Sequence, residues 1–211
     1  MTTQDDAKFW DRAAPKYAAS KIADMGGYER TLERTRALLD PHFTVLELGC
    51  GTGSTALRLA GGVQSYVATD ISAAMIAIAH EKLAASPGLP LTFRAATAQA
   101  MAGEGNQYDA VLGLNYLHLV RDLPGTLRCI RSLLAPGGLF ISKSACLADM
   151  NVLIRLAIPV MQLIGKAPHV NVFTAAGVEQ EIRDAGFEIL AVERHATKGK
   201  DSRPFILARK M

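Results

Sequence analysis

Three glycines at alternate positions, Gly49, Gly51 and Gly53, directly follow the apolar run Val45-Leu46-Glu47-Leu48 and directly precede Ser54-Thr55-Ala56-Leu57. Glycine tolerates positive φ and lets a ligand approach bare backbone. A strand, a turn so filled and the opening of a helix therefore make a nucleotide-sized cradle. Asp70 ends the next apolar segment, Tyr66-Val67-Ala68-Thr69, where one carboxylate can accept hydrogen bonds from both hydroxyls of a ribose. The remaining detail is Glu47, two residues before the first glycine. A carboxylate there repels phosphate and suits a cationic or zwitterionic ligand. A dinucleotide fold calls instead for G-x-G-x-x-G, with its helix start facing a pyrophosphate; this chain has G-x-G-x-G.

The stretch from Glu47 to Gly53, E-L-G-C-G-T-G, resembles motif I of the class I S-adenosylmethionine-dependent methyltransferases. The resemblance runs in register from about Phe9 to Lys210 and points to the small-molecule type of the ubiquinone/menaquinone-biosynthesis-like group. It implies S-adenosylmethionine as cofactor, held by Glu47, Gly49, Cys50, Gly51 and Gly53, with Asp70 on the ribose and Ile71 against the adenine. Phe9-Trp10-Asp11-Arg12-Ala13-Ala14-Pro15-Lys16-Tyr17 looks like the F-W-D-x-x-A-x-x-Y opening of that group. By the resemblance Tyr17 lies near the sulfonium, where an aromatic ring attracts a cation; packing of an N-terminal helix is the alternative. Thr97 stands where relatives carry the aspartate that accepts from the adenine amine, and Ala98 follows it against the ring. A hydroxyl accepts the same bond without the charge. Leu114 and Asn115 end the motif that runs beside the transferable methyl. His118 corresponds to the first histidine of the common L-H-H-L sequence, either as a proton acceptor with an ordinary pKa of about 6.5 or as a structural residue. Leu133-Leu134-Ala135-Pro136-Gly137-Gly138 matches the architectural L-x-P-G-G turn before the fifth strand.

The elements that must position these residues alternate along the chain. Strands are expected at 44–48, 65–70, 91–95, 110–114 and 139–144, with helices near 54–60, 73–85 and 123–134. Short apolar strands alternating with helices require a mostly parallel sheet covered on both faces. A first helix is expected from Thr3, capped with Asp6, to about Ala13, where Pro15 breaks it. A second fits 28–39. The tail reads as a helix over 175–185 and strands at 187–194 and 203–209, joined by a short polar loop and so antiparallel neighbours. The fold class is thus α/β, a Rossmann-like, mostly parallel seven-stranded sheet with an antiparallel last strand and a helical lid. One domain is expected over 1–211, divided into an N-terminal helical cap (1–40), a cofactor-binding core (41–146), an apolar helical lid (147–173) and a C-terminal helix with strands (174–211).

A chain of 211 residues with 49% hydrophobic residues can bury a full core. The net charge of +3 is mild, and the late basic residues (Arg194, His195, Lys198, Lys200, Arg203, Arg209, Lys210) are interrupted and read as a solvated edge. No nucleic-acid partner is expected. Cys50, Cys129 and Cys146 match no C-x-x-C pattern, so no metal is implied. The opening Met1-Thr2-Thr3-Gln4-Asp5-Asp6 has no basic or apolar leader, and a cytoplasmic location is expected. The stretch Met150 to Ile164 is nearly apolar all round, too short for a membrane span of roughly 20 residues and broken by Arg155 and Pro159. It reads either as a lid over an apolar or aromatic methyl acceptor or as a homodimer interface. Two other functions compete with methyl transfer to a small molecule. A non-catalytic S-adenosylmethionine-binding regulator needs the same cradle, and an NAD-dependent oxidoreductase needs the third glycine and a Tyr-x-x-x-Lys pair.

Overall fold

The computed structural model describes residues 2–150, 158–159, 161–162, 167–197, 199 and 201–211. Its seven strands are β1 (Thr44–Leu48), β2 (Ser65–Asp70), β3 (Leu91–Ala95), β4 (Tyr108–Leu114), β5 (Leu134–Lys143), β6 (Phe187–Glu193) and β7 (Phe205–Lys210). They form one sheet in the order β3-β2-β1-β4-β5-β7-β6. β1 is central, pairing in parallel with β2 and β4, and β7 runs antiparallel to both its neighbours. The order reverses direction at β1 and β4, where crossovers leave opposite faces of the sheet and a crevice opens at the carboxyl ends. The glycine turn follows β1 and so opens into it.

Seven helices are described: α1 (Thr3–Ala19), α2 (Met25–Leu38), α3 (Ser54–Leu59), α4 (Ala73–Ala84), α5 (Ala98–Gly103), α6 (Leu123–Leu133) and α7 (Ala175–Asp184). On one face, Leu32, Leu59, Ile76 and Ala79 of α2 to α4 pack with Val45, Tyr66 and Leu112. On the other, Met101, Leu127, Ile130 and Ile182 of α5 to α7 pack with Leu46, Val111 and Phe140. Strands buried on both faces carry the continuous apolar runs seen in the sequence.

Some bounds shift by up to three residues: α2 begins at Met25 rather than 28, β4 at Tyr108 rather than 110 and β7 at Phe205 rather than 203. Three further expectations change. The first helix does not stop before Pro15 but runs through it to Ala19, and its capping box pairs Thr2 with Asp5 rather than Thr3 with Asp6. Pro15 deprives only the Asp11 carbonyl of an intrahelical donor, and Asp11 is itself anchored by its side chain to α4 through Ser72 Oγ at 2.6 Å and Ala74 N–H at 3.1 Å. β5 begins at Leu134, because Tyr108 pairs with Leu134 ahead of a register shift that absorbs the Pro-Gly-Gly turn. α5 has no counterpart in the sequence reading: Ala98-Gln99-Ala100-Met101 lacks apolar periodicity, and the Thr97 hydroxyl capping Ala100 N–H at 3.1 Å starts it. Of the lid expected over 147–173, residues 151–157, 160 and 163–166 lie outside the described residues.

Candidate functional site

The glycine turn is dictated by sterics as much as by φ. Gly49, Gly51 and Gly53 have φ of +71°, +54° and +76°. A Cβ on Gly49 would stand 2.6 Å from the Tyr116 ring, and one on Gly53 would stand 2.5 Å from Phe93. Gly53 therefore packs α3 against the sheet, the task that a dinucleotide fingerprint gives to a glycine placed later. Gly51 is different: its Cβ would meet the ring of Tyr17 at an ordinary 3.5 Å, so the open side of this glycine is toward Tyr17, which lines the cavity. The turn is laced to β2 by Cys50 N–H donating to the Thr69 carbonyl at 2.9 Å. From α4, Lys82 Nζ donates to Thr52 Oγ1 at 2.7 Å and Ser54 Oγ at 3.1 Å, fixing the start of α3.

Two carboxylates flank the turn. Asp70, at the end of β2, accepts Gly51 N–H on Oδ2 and Ser72 N–H on Oδ1, both at 2.9 Å. Each oxygen keeps a second lone pair. Burial raises the Asp70 pKa, and the backbone donors oppose that rise. Glu47 is 2% exposed, and its one described partner is the Tyr66 hydroxyl, which donates at 2.9 Å. Burial pushes its pKa up to about 7, the Tyr66 bond opposing and the Asp70 charge adding. A buried carboxyl whose pKa is raised in this way returns to the charged form when a cation arrives. Cys50 is buried, and burial with the two carboxylates raises its thiol pKa far above the ordinary value, so it is no nucleophile.

A cavity of about 620 Å³ opens from the turn across the ends of β4 and β5. Tyr17, Glu47, Gly49, Cys50, Leu114 and Asn115 line it, which brings six of the sequence-derived candidates together. Asn115 has φ +58°, rare for a non-glycine residue, and its N–H donates to the Lys143 carbonyl. Tyr17 is half-exposed, with its ring edge-on to Trp10. Arg121 holds α1 over the crevice through a bidentate pair with Asp6 at 2.6 and 2.8 Å.

The other candidates lie elsewhere. Gly51 and Gly53 belong to the turn without lining the cavity, and Asp70 and Ile71 follow at the end of β2. Thr97 caps α5, and the Ala98 side chain is fully buried in the core rather than lining a surface. His118 is outside the cavity lining; its Nδ1 is buried without a hydrogen-bond partner among the described residues, and its carbonyl accepts Asn171 N–H at 2.7 Å. Burial, with Arg203 adding, lowers the His118 pKa to about 4. One Tyr-x-x-x-Lys spacing escaped the sequence reading, Tyr17 and Lys21, but α1 ends at Ala19, so the two residues do not share successive turns of a helix.

Sequence reasoning also missed Lys143, Arg203, Thr31 and Asp201, which line the far side of the cavity. The late basic residues expected as a solvated edge include His195, which is 6% exposed and hydrogen-bonded to Thr31 at 3.0 Å. A single charge in a long apolar strand, as Lys143 is in β5, was the available signal.

Residues 45–138 match the family model described as a methyltransferase domain, so the turn, both carboxylates and β4 lie within the matched stretch. The ubiquinone biosynthesis O-methyltransferase of Methylocella silvestris is 36% identical over 100 residues, which make up 47% of this chain and 39% of that protein. The chain thus spans less than half the length of that curated relative. Among solved structures, the cyclase SpnF superposes with a TM-score of 0.75 at 18% identity, covering 99% of this chain and 96% of that one. Magnesium protoporphyrin IX methyltransferase (ChlM) of Synechocystis PCC 6803 with bound SAH superposes at 0.71 with 22% identity, covering 98% and 95%. The structural likenesses establish the fold, a Rossmann-like α/β sheet shared with SpnF and ChlM.

Proposed function

We propose that this protein transfers the methyl group of S-adenosylmethionine to a small-molecule acceptor. The observation that carries the reading is the cradle itself: Glu47, Gly49 and Cys50 line the cavity, and Asp70 is tied to the same glycine turn by accepting Gly51 N–H. When bound, S-adenosylmethionine supplies a methyl already activated on a sulfonium. The residues of the chain then have three tasks. Asp70 accepts from the ribose hydroxyls with the lone pairs left by Gly51 and Ser72. Glu47, ionised by a nearby cation, offsets the positive charge of the methionine end, and Tyr17 closes over it with its ring face. Leu114 and Asn115 border the path between methyl and acceptor, so their rigid backbone fixes the in-line approach. On the adenine side, Ile71 supplies packing and the Thr97 hydroxyl supplies a hydrogen-bond acceptor, while the Ala98 side chain stays in the core.

His118, the proton-acceptor candidate, stands outside the cavity lining with Nδ1 buried and its pKa lowered to about 4 by burial, which supports the structural role over the catalytic one. A cytoplasmic setting is supported by three free cysteines. No described helix is long and apolar enough to cross a membrane.

Because SpnF, a cyclase, shares this fold, the decisive test is turnover. Purified protein incubated with S-adenosylmethionine and small-molecule fractions from cells should produce S-adenosylhomocysteine, dependent on one fraction and lost in Gly51→Val. Tight cofactor binding with no turnover in any fraction would favour a binding regulator.

A further inference from the structure

The far wall of the cavity carries two cations, Lys143 and Arg203, that form no ion pair among the described residues. Lys143 closes β5, and Arg203 stands two residues before β7, whose first residue, Phe205, pairs with Lys143. The nearby carboxylates act on Lys143 at a distance, while their oxygens are taken up by other donors. Asp201 accepts three backbone N–H groups, from His195, Ala196 and Arg203, at 2.8 to 2.9 Å. Asp24 accepts from Gly27 N–H at 3.0 Å and from Thr197 N–H at 2.9 Å, and also from the Thr197 hydroxyl.

Lys143 is aimed rather than free. Its Nζ donates to Thr31 Oγ1 at 2.8 Å, and that hydroxyl is fixed by donating to the Gly27 carbonyl at 2.8 Å and by its contact with His195. The ammonium has two further donors. Burial depresses the Lys143 pKa, Asp201 and Asp24 oppose that, and Arg203 adds to it, as two like charges in one cavity must. Such a pair raises the energy of the empty site and is relieved by an anion.

Strand order says which ligand that anion belongs to. Asp70 ends β2 and Lys143 ends β5, with β1 and β4 between them. Three strand spacings separate the two ends, about 14 Å. The cations therefore lie beyond β4, on the side away from the ribose acid.

We propose that the methyl acceptor bears a carboxylate, which Lys143 receives as a point charge and Arg203 receives with its planar fork. Its reacting atom then points back toward Leu114 and Asn115. The substrate class is an acid-bearing small molecule whose remaining body is apolar or aromatic. This rests on the methyltransferase reading and narrows it.

The test uses the full-length protein saturated with S-adenosylhomocysteine, whose binding is first confirmed by calorimetry. A fragment panel of aromatic and aliphatic carboxylic acids, each paired with its own primary amide, is titrated by ligand-observed NMR into wild type, Lys143→Met and Arg203→Met. Acids should bind about tenfold more tightly than their amides. That advantage should vanish in Lys143→Met and shrink in Arg203→Met, with S-adenosylhomocysteine affinity unchanged. A panel in which acids show no advantage over amides, whether both bind or neither does, overturns the proposal. So does a loss of S-adenosylhomocysteine affinity in Lys143→Met, which would assign the cations to the methionine carboxylate of the cofactor. Failure of wild type to bind S-adenosylhomocysteine would instead reject the methyltransferase reading beneath it.

Discussion

Each of the three turn glycines answers to a different neighbour, so alanine at each has a different cost. Gly53→Ala sets a Cβ 2.5 Å from Phe93 in a left-handed conformation. Strain and overpacking together should destabilise the protein by about 2 to 4 kcal/mol. Gly51→Ala meets Tyr17 only at van der Waals distance and should cost about 1 to 2 kcal/mol while still obstructing the cofactor. Chemical denaturation that ranks the two equally would contradict this division of labour. Glu47 sets a pH dependence. Its folded pKa of about 7 exceeds the ordinary 4.5, so the folded chain binds the proton more tightly than the unfolded one. The stability this contributes is fully present below pH 4.5 and is lost as pH rises through 7, by about 3 kcal/mol. Glu47→Gln, neutral throughout, should flatten that slope, measured as denaturation midpoints at pH 5 and pH 8. An unchanged slope would mean that Glu47 is not its source.

Among the elements, α1 is fixed by two polar anchors as well as by its packing on α4. The Asp6–Arg121 pair, with Asp6 7% exposed, and the Asp11 bonds to α4 anchor a helix that carries Tyr17 to the crevice. Arg121→Ala leaves Asp6 without its partner and should cost about 2 kcal/mol. Amide exchange should quicken across α1, and S-adenosylmethionine should bind more weakly, with β1, β2 and β4 unaffected. Equal protection of α1 in both proteins would deny that this pair holds it. The same helix marks where sequence signals weaken. β1, β2 and β3 were legible residue for residue, because buried parallel strands are unbroken apolar runs bounded by turn formers. Pro15 misled because a proline costs a helix one hydrogen bond, and Asp11 gains side-chain contacts on α4 that no local pattern encodes. α5 was illegible because alanines give no amphipathic period.

At the scale of the whole molecule, the reversal of strand order at β1 and β4 fixes one crevice with two unlike ends. The acidic, glycine-lined end was legible because its residues are contiguous in sequence: Glu47 to Gly53, then Asp70. The basic end was not, because Lys143, Arg203 and Thr31 come from β5, the approach to β7 and α2, and only the folded sheet assembles them. The central claim concerns the legible end. Calorimetric titration of S-adenosylhomocysteine into wild type and Asp70→Ala, with both proteins shown to be folded, tests it most directly. Wild type should bind, and the variant, deprived of the ribose acceptor, should bind about 10- to 100-fold more weakly, a loss of about 1.5 to 3 kcal/mol. Equal affinities, or no binding to wild type, would contradict the account.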